Sequence, residues 1–395
     1  MPSVCLYFQI HQPYRLRRYS VFDTDRHYFD DLKNAQIIRK VAQRCYLPAG
    51  RMLMELVRRF EGRFRLGLCI TGSALEQIQT WVPEALEVLQ QLAASGCVEM
   101  LSETYHHSLA FLYSRDEFRQ QVELHRRAMK RVFHQEPRVF RNTELIYNNE
   151  LAAAVAHMGY DAVLAEGADK VLGERSSNFV YRPPGSGSVK LLLRNYHLSD
   201  DIAFRFSNRD WPQWPLTAEK FARWVHQIEG NGQICNLFMP LETLGEHQWS
   251  DTGIFDFMAH LPAELLKHSG NDFVTPSQAA ERYAPASEVD CPQAISWADT
   301  ERDLSAWVGN AMQSNALNEL YKLQKPVKES DDEQLLADWR RLTTSDHCYY
   351  MCTKYWADGD VHKYFSPYES PYDAYINYMN ILDNVRSRVR DGKNL

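Results

Sequence analysis

The segment VCLYFQI (residues 4–10), followed directly by His11 and Gln12, is the first of several short β-rich runs in the chain. Stretches with helical periodicity separate these runs, such as the apolar stripe formed by Met52, Leu56 and Phe60. Strands that alternate with helices over about 280 residues predict a parallel α/β fold, either a barrel or a doubly wound sheet. The predicted strands are residues 4–10, 64–71, 98–102, 139–143, 162–165, 189–195, 234–239 and 273–275.

The pattern changes after about residue 290, where no further β-rich runs occur. Apolar residues at helical spacing continue in two stretches, one around Trp307 and Leu320 and one around Tyr378 and Leu382. An acidic, polar segment at 329–333 separates them. We therefore expect two domains: an α/β barrel domain over residues 1–285 and a C-terminal helical domain over residues 286–395.

The composition limits the class of partner. The 395 residues include 45% hydrophobic and 24% charged residues, as in a soluble globular protein, and the net charge is −7. A negative chain of this kind offers little attraction to phosphates, so we expect neither nucleic acid nor a membrane as partner. The eight cysteines form no CxxC pair, and the chain begins without a signal-like segment. These features predict reduced thiols and a cytoplasmic location.

Polar side chains follow several of the predicted strands. In a parallel barrel, the loops after the carboxyl ends of the strands form the active site, so we expect these side chains to meet there. They are His11 and Gln12 after the first strand, Glu103, His106 and His107 after the third, Glu144 after the fourth, and Glu242, Glu246 and His247 after the seventh.

These residue types favour carbohydrate chemistry. Hydrolysis of a glycosidic bond needs two carboxyl groups, one acting as nucleophile or base and one as acid, while His and Gln can donate to sugar hydroxyls. The competing interpretation is a metal-dependent deacylase or glycosidase, with His11, His106 and His107 as ligands. No HExxH or HxH spacing supports a metal, and the chain has no GxSxG, GxGxxG or GxxxxGK[ST] motif. We predict no metal and no cofactor.

Five stretches resemble, in chain order, the five sequence regions of glycoside hydrolase family 57, and most closely its α-amylase group. They are HQPYRL (11–16), LSETYHHSLAFLYS (101–114), FRNTELIYNNE (140–150), NLFMPLETLGEHQW (236–249) and SWADTERDLSAWVGNAMQ (296–313). The resemblance implies a (β/α)7 barrel followed by a helical region. It also implies retaining chemistry on α-1,4-glucans or maltooligosaccharides without an obligatory metal.

The resemblance assigns roles to individual positions. Glu144 matches the family's nucleophile, and Asp299 lies where the helical domain is expected to close over the sugar. The full set of expected substrate-binding residues is His11, Gln12, Glu103, His106, His107, His247, Trp297 and Asp299.

The fourth region departs from the family pattern. The family has Asp, any residue and Glu there, with the Asp as general acid/base, and this chain has Pro240, Leu241 and Glu242. Proline has no side chain that can carry a proton, so position 240 cannot protonate a leaving glycosidic oxygen. Glu242, or alternatively Glu246, is a possible substitute acid.

Two functions therefore stay open beside the metal-dependent alternative. One is an α-glucan-acting hydrolase or transferase with little or no ordinary amylase activity, in which Glu144 is the nucleophile. The other is a non-catalytic α-glucan-binding pseudoenzyme. The sequence leaves hydrolysis versus transfer, the preferred glucan length and the oligomeric state open.

Overall fold

The computed structural model describes residues 2–185, 187–354 and 366–392, so part of the expected helical domain, residues 355–365 and 393–395, lies outside it. The described chain confirms an α/β fold with a (β/α)7 barrel followed by a helical region. Its strands are β1 (Ser3–Ile10), β2 (Leu66–Ile70), β3 (Val98–Met100), β4 (Val139–Arg141), β5 (Ala162–Glu166), β6 (Val180–Tyr181), β7 (Lys190–Arg194) and β8 (Ile234–Pro240).

Seven of these strands run parallel around the barrel. Hydrogen-bonded pairing gives the orders β3-β2-β1-β8 and β4-β5-β7, with the two-residue β6 antiparallel to β7. A parallel bridge from Ser102 to Phe140 joins β3 to β4. The Asn195 N–H donates to the Asn236 carbonyl at 2.9 Å and joins β7 to β8. Because the strands are buried on both faces, their sequences read as nearly continuous apolar runs.

One expected strand is wrong, and one observed strand is absent from the sequence prediction. Residues 273–275 form no strand, because Phe273 pairs with Val4 through one isolated bridge and Thr275 then caps the next helix. The short β6 was not predicted, since two residues carry no periodicity.

Helices surround the barrel and form the C-terminal region. Side-chain caps mark where several begin: Thr71 accepts from the Ala74 N–H, Ser114 from Glu117, and Asn310 forms a capping box with Gln313. A π-helical segment, Ala42–Tyr46, joins the first two helices, and 3-10 turns occur at Thr143–Leu145, Leu241–Thr243 and Ser250–Thr252. The α-helices are α1 (Asp31–Val41), α2 (Leu47–Arg59), α3 (Gly72–Trp81), α4 (Pro83–Ala94), α5 (Ala110–Tyr113), α6 (Arg115–Phe133), α7 (Asn149–His157), α8 (Asp169–Leu172), α9 (Tyr196–Ala203), α10 (Ala218–His226), α11 (Ile254–Leu265), α12 (Pro276–Arg282), α13 (Ser305–Val308), α14 (Ala311–Lys322), α15 (Gln324–Lys328), α16 (Glu333–Leu342), α17 (Ser345–Tyr349) and α18 (Pro371–Gly392).

Alternation along β1 and β8 determines which residues face the barrel interior. Tyr7 of β1 and Phe238 of β8 stack inside the barrel, with ring centroids 5.1 Å apart. Side chains two residues further along a strand point to the same face, and Gln9 is paired in register with Pro240. Pro240 therefore ends β8 on the face that leads into the carboxyl-end opening of the barrel.

The helices after residue 304 form a second hydrophobic core together with parts of the barrel domain. Trp307, Trp339 and Tyr378 are fully buried there, and Tyr28 from the segment after β1 joins them. The connection into this core contacts the barrel, because Ile295 bridges to Tyr147 and Glu288 to Arg182. The domain boundary between residues 285 and 286 stays a prediction.

Two further findings concern the whole described chain. Its eight cysteines are all buried free thiols. In the described ranges, no helix combines the length and apolar character that crossing a lipid bilayer requires.

Gly245 should be essential for the position of the loop after β8. It has a φ of 105°, and a Cβ there would lie 2.0 Å from the Arg44 carbonyl oxygen of the π-helical segment. We expect Gly245→Ala to lower the melting temperature by several degrees more than Gly253→Ala. Gly253 has a φ of 83° but nothing within 4 Å of its Cβ position. Both changes cost about 1–2 kcal/mol for the left-handed backbone, and only the first adds a backbone clash. Equal melting temperatures would contradict the assigned contact.

Candidate active site

Glu144 follows β4 in a strained backbone conformation. Its φ of 56° and ψ of 24° lie in the left-handed region, which costs a non-glycine residue about 1 kcal/mol or more. Two hydrogen bonds hold this turn: Leu145 N–H donates to the Asn142 carbonyl at 3.0 Å, and Trp297 N–H donates to the Glu144 carbonyl at 3.3 Å. Such strain persists where surrounding contacts fix it, often at functional sites.

Three donors surround the Glu144 carboxylate. His107 Nε2 lies 2.9 Å and Ser345 Oγ 3.2 Å from Oε1, while the Trp297 indole N–H donates to Oε2 at 2.7 Å. Burial alone would raise the pKa of Glu144, but the hydrogen bond and charge of His107 outweigh it and hold the pKa below its usual range. Glu144 is therefore ionised at neutral pH, as a carboxylate nucleophile must be.

His107 is a buried cation between two carboxylates. Its Nδ1 lies 3.2 Å from Glu103 Oε2, and its Nε2 contacts Glu144. Burial lowers the pKa of His107, but the hydrogen bonds to Glu103 and Glu144 outweigh this and raise it to about 9. The ring is thus an imidazolium that donates through both nitrogens.

Glu103 anchors this arrangement from inside the barrel. It is fully buried and accepts from Gln9 Nε2 at 3.0 Å and from Cys69 Sγ at 2.9 Å. Burial would raise the pKa of Glu103, but the His107 hydrogen bond and the Arg141 charge outweigh it and lower the pKa to about 2. The fully buried Arg141 lies 3.6 Å from Glu103, with its guanidinium 5.0 Å from the Phe238 ring centroid.

His11 lies against His107, with ring centroids 4.1 Å apart. Burial and the positive charge of His107 lower the pKa of His11, so it is neutral near pH 7. His11 Nε2 lies 2.9 Å from Asp346 Oδ2, and because an ionised carboxylate can only accept, Nε2 carries the proton and donates to it. In the neutral ring Nδ1 then accepts from the Thr71 hydroxyl, 3.0 Å away.

Asp346 is ionised. Burial would raise the pKa of Asp346, but its pairing with His11 and the positive charge of His107 lower it. We call Glu103, His107, Glu144, Arg141, His11 and Asp346 the carboxylate–histidine cluster.

The carboxyl groups after Pro240 make other contacts. Glu242 is buried, and its Oε1 accepts from the Tyr46 hydroxyl of the π-helical segment at 2.6 Å. Burial raises the pKa of Glu242 to about 7, against hydrogen bonds from Tyr46 and Gln12. Glu246 forms ion pairs with Lys40 and Arg44. Among the described residues, no hydrogen bond joins Glu242 or Glu246 to Glu144.

The other expected substrate-binding residues, Gln12, His106, Asp299 and His247, make contacts outside the cluster. The Gln12 side chain accepts from Arg15 at 3.1 Å, and His106 Nδ1 lies 3.2 Å from Ser73 Oγ of α3. Burial lowers the pKa of His106 to about 4. Asp299, at a φ of 54°, pairs with Lys354 at 3.2 Å. Burial lowers the pKa of His247, which is partly exposed in the loop after β8.

The sequence predicts that the helical region closes over the site, but it does not identify Ser345 and Asp346 as the residues that do so. Ser345 and Asp346 contact Glu144 and His11 across more than 200 residues of chain. The only sequence signal is a polar run, residues 343–347, between apolar helical stretches.

The described histidines and carboxylates form no grouping suited to a metal. Within residues 2–185, 187–354 and 366–392, no three His, Cys, Asp or Glu side chains are arranged to hold a metal ion. Both ring nitrogens of His11 and of His107 contact protein groups instead.

Glu144 thus places an ionised carboxylate at the carboxyl ends of the strands of a (β/α)7 barrel, next to Ser345 of the helical region. The family model described as glycosyl hydrolase family 57 matches residues 5–292, and the chain belongs to this family. It is 41% identical to a Methanocaldococcus jannaschii protein named "Putative alpha-amylase", over 97% of this chain and 84% of that protein.

Two solved structures resemble the fold at low sequence identity. A family 57 branching enzyme from Thermococcus kodakaraensis is 14% identical with a TM-score of 0.70, covering 98% of this chain and 90% of the enzyme. The 4-α-glucanotransferase of Thermococcus litoralis is 13% identical with a TM-score of 0.62, covering 96% of this chain. This chain spans 60% of that second enzyme.

The protonation of His107 predicts a pH dependence of stability. Because its folded pKa of about 9 exceeds its unfolded value near 6.5, the stabilisation is complete below about pH 6.5 and is lost as the pH rises through 9. The loss amounts to about 3 kcal/mol at most. We expect the melting temperature to fall between pH 7 and 9.5 in the wild type, and this slope to flatten in His107→Gln. The exposed His157→Gln variant should keep the wild-type slope, and a His107→Gln slope equal to it would refute the assignment.

Proposed function

We propose that the protein acts on or binds α-1,4-glucans through the site around Glu144, with retaining glycosidase chemistry and little ordinary amylase activity. The observation that carries this proposal is the Glu144 carboxylate, ionised and held by His107, Ser345 and Trp297 at the end of β4. Family membership supports an α-glucan as the ligand, as do the names of its relatives: "Putative alpha-amylase", a branching enzyme and a 4-α-glucanotransferase.

In the first step of retention, a Glu144 oxygen forms a bond to the anomeric carbon while the bond to the glycosidic oxygen breaks. Glu144 Oε2 accepts one hydrogen bond and Oε1 accepts two, so Oε2 is the oxygen more available to attack the anomeric carbon. Water or a sugar hydroxyl then attacks the anomeric carbon, the bond to Glu144 breaks, and the attacking oxygen gives its proton to solvent because position 240 holds no base. Water gives hydrolysis, and a second glucan gives transfer.

The glycosidic oxygen needs a proton as it leaves, and we expect this protonation to be the slow step in this protein. Pro240 lies on the inward face of β8, and its side chain has no ionisable group that could donate a proton. General acid catalysis contributes about 10²–10⁴ in rate, so its loss reduces cleavage of unactivated glucans by about that factor.

Glu242 is the candidate for a replacement acid. Its pKa of about 7 keeps a large fraction protonated at neutral pH, which suits a general acid. Its Oε1 accepts from the Tyr46 hydroxyl, and among the described residues no hydrogen bond joins it to Glu144. If no acid replaces position 240, the same site is that of a glucan-binding pseudoenzyme, and Pro240 is the observation that favours this second candidate.

A long incubation with maltoheptaose distinguishes the two candidates. Slow formation of shorter or longer maltooligosaccharides that disappears in Glu144→Gln would identify an enzyme, and Glu242→Gln would then test the replacement acid. Absence of products from both proteins, together with binding of maltoheptaose in a calorimetric titration, would identify the pseudoenzyme. Absence of binding as well would overturn the proposal of an α-glucan ligand.

Restoring a carboxyl at position 240 should restore the acid. Pro240 has a φ of −59° and a ψ of 143°, which any residue can adopt. We expect Pro240→Asp to raise the rate of maltoheptaose cleavage by about 10²–10⁴, because the inward face of β8 then holds a proton donor. Pro240→Asn is the matched control, with the same shape and no acid. Equal rates for the Asp and Asn variants would refute the role given to this position.

A substrate whose leaving group departs without protonation should react even though the general acid is missing. We expect wild-type protein to release fluoride from α-maltosyl fluoride much faster than it cleaves maltoheptaose, and Glu144→Gln to release none above background. A fluoride electrode measures this directly. Equal release by wild type and Glu144→Gln would show that Glu144 is not the nucleophile.

A further inference from the structure

A second group of charged side chains lies at the carboxyl ends of β5 and β7. Glu166 ends β5 and Arg194 ends β7, and both side chains are no more than 2% exposed. Arg194 Nη1 donates to Glu166 Oε2 at 3.1 Å, and Nη2 donates to Asp200 of α9. Arg194 Nε donates to the Phe238 carbonyl at 2.9 Å. Arg194 therefore joins the ends of β5 and β7 to α9 and to β8.

Arg302 attaches the connection between the barrel and the helical region to this group. Its guanidinium lies 3.8 Å from Glu166 and 3.7 Å from Asp200. It also lies over the Tyr196 ring, 4.7 Å from the centroid, and donates to the carbonyl of Trp297. One side chain thus contacts three barrel residues and the main chain of the connection. We call Glu166, Asp200, Arg194 and Arg302 the arginine–carboxylate cluster.

The turn formed by residues 296–303 needs such an attachment. Asp299 has a φ of 54° and Arg302 a φ of 50°, both in the left-handed region that is unfavourable for residues with a Cβ. The Ser296 N–H donates to the Arg302 carbonyl at 3.2 Å and closes the turn. An unfavourable backbone conformation persists only where surrounding contacts fix it. The side chain of Arg302 supplies contacts of this kind on the barrel side of the turn.

Trp297 connects the turn to Glu144. Its backbone N–H donates to the Glu144 carbonyl, and its indole N–H donates to Glu144 Oε2 at 2.7 Å. The guanidinium groups of Arg141 and Arg194 lie 5.7 Å and 5.8 Å from the indole ring, a favourable arrangement of cations and an aromatic face. The direction of the indole N–H is therefore determined by the main chain of the turn and by the cations beside the ring.

We propose that Arg302 is a positioning residue for the nucleophile, because it fixes Trp297 so that the indole N–H holds Glu144 Oε2. This inference rests on the proposed function, since it takes Glu144 to be the nucleophile. The fork of a guanidinium lets one side chain contact Glu166, Asp200 and the Trp297 carbonyl together. A lysine ammonium, which is a compact point charge, cannot reproduce this geometry.

Fluorine NMR of protein labelled with 5-fluorotryptophan tests the positioning without any substrate. The chain has nine tryptophans, and Trp297→Phe identifies the resonance of Trp297. Glu144→Gln changes the group that accepts the indole proton and should shift this resonance. We expect the shift caused by Glu144→Gln to be much smaller in the Arg302→Gln background, where Trp297 is no longer held.

Arg175→Gln is the matched control. Arg175 also donates to main-chain carbonyls, those of Val171, Leu172 and Glu288. The shift caused by Glu144→Gln should keep its full size in the Arg175→Gln background. An equally full shift in the Arg302→Gln background would overturn the inference. So would the absence of a shift in otherwise wild-type protein, since the indole would then not contact Glu144.

A conservative variant keeps the test decisive if Arg302→Gln does not fold. The Arg302 side chain is 18% exposed, and Arg302→Lys retains the positive charge next to Glu166 and Asp200. It removes only the fork geometry, so we expect a folded protein in which the shift caused by Glu144→Gln is reduced. Circular dichroism and melting temperatures establish which variants are folded. A full-size shift in the Arg302→Lys protein would show that the fork is not needed and would overturn the inference.

A double-mutant cycle on fluoride release from α-maltosyl fluoride tests the same assignment in the reaction. Arg302→Gln should lower kcat about tenfold with little change in KM, as expected when a hydrogen bond to a charged group is weakened. In the Trp297→Phe background, Arg302→Gln should cause no further loss, because its effect is transmitted through Trp297. A further tenfold loss there would assign Arg302 a general structural role and overturn the inference.

Failure of the proposed function gives a different result. If the wild type releases no fluoride above the Glu144→Gln background, the proposed chemistry of Glu144 is wrong. The fluorine resonance of Trp297 still decides in that case whether Arg302 holds the indole on Glu144.

Discussion

The ion pairing of His107 with Glu103 and Glu144 is the interaction on which the site depends. Three ionised groups are buried together, and each would be strongly disfavoured alone, since removing one partner of a buried pair costs about 3–5 kcal/mol. Glu103 can remain charged because Gln9, Cys69 and Arg141 surround it inside the barrel. The barrel interior thus determines the charge of His107, and His107 determines the charge of Glu144.

The sequence predicted the barrel well for a physical reason. Strands buried on both faces must be apolar throughout, so β1, β2, β5, β7 and β8 were visible as short apolar runs. The expectation that polar residues meet at the carboxyl ends of parallel strands also predicts that Glu103, His107 and Glu144 lie together. The rule fails for contacts whose partners lie on no strand. Asp346 belongs to a helix of five residues, 335 positions from His11, and no local pattern relates the two.

Sequence periodicity also fails to predict where a side chain points once a strand has ended. Glu242 follows β8 by two residues, and its spacing is compatible with the barrel opening, yet it binds Tyr46 of the π-helical segment. A 3-10 turn at Leu241–Thr243 interrupts the alternation of the strand, so the period of two cannot be extended past Pro240. Pro240 itself disturbs the fold little, because proline is tolerated at the end of a strand. A substitution at position 240 therefore decides whether the site has a proton donor, while the architecture stays the same.

Charge balance connects the barrel and the helical region. With His11 neutral, the cluster holds three carboxylates, Glu103, Glu144 and Asp346, against the two cations His107 and Arg141. The excess negative charge comes from the helical region, through Asp346, and lies at the open side of the site. A glycosyl group that departs from its leaving oxygen develops positive charge at the anomeric carbon, and fixed negative charge nearby stabilises that state. In the retaining reaction proposed above, Asp346 of the helical region would therefore supply an electrostatic contribution that the barrel residues of the cluster, whose charges balance, do not provide alone.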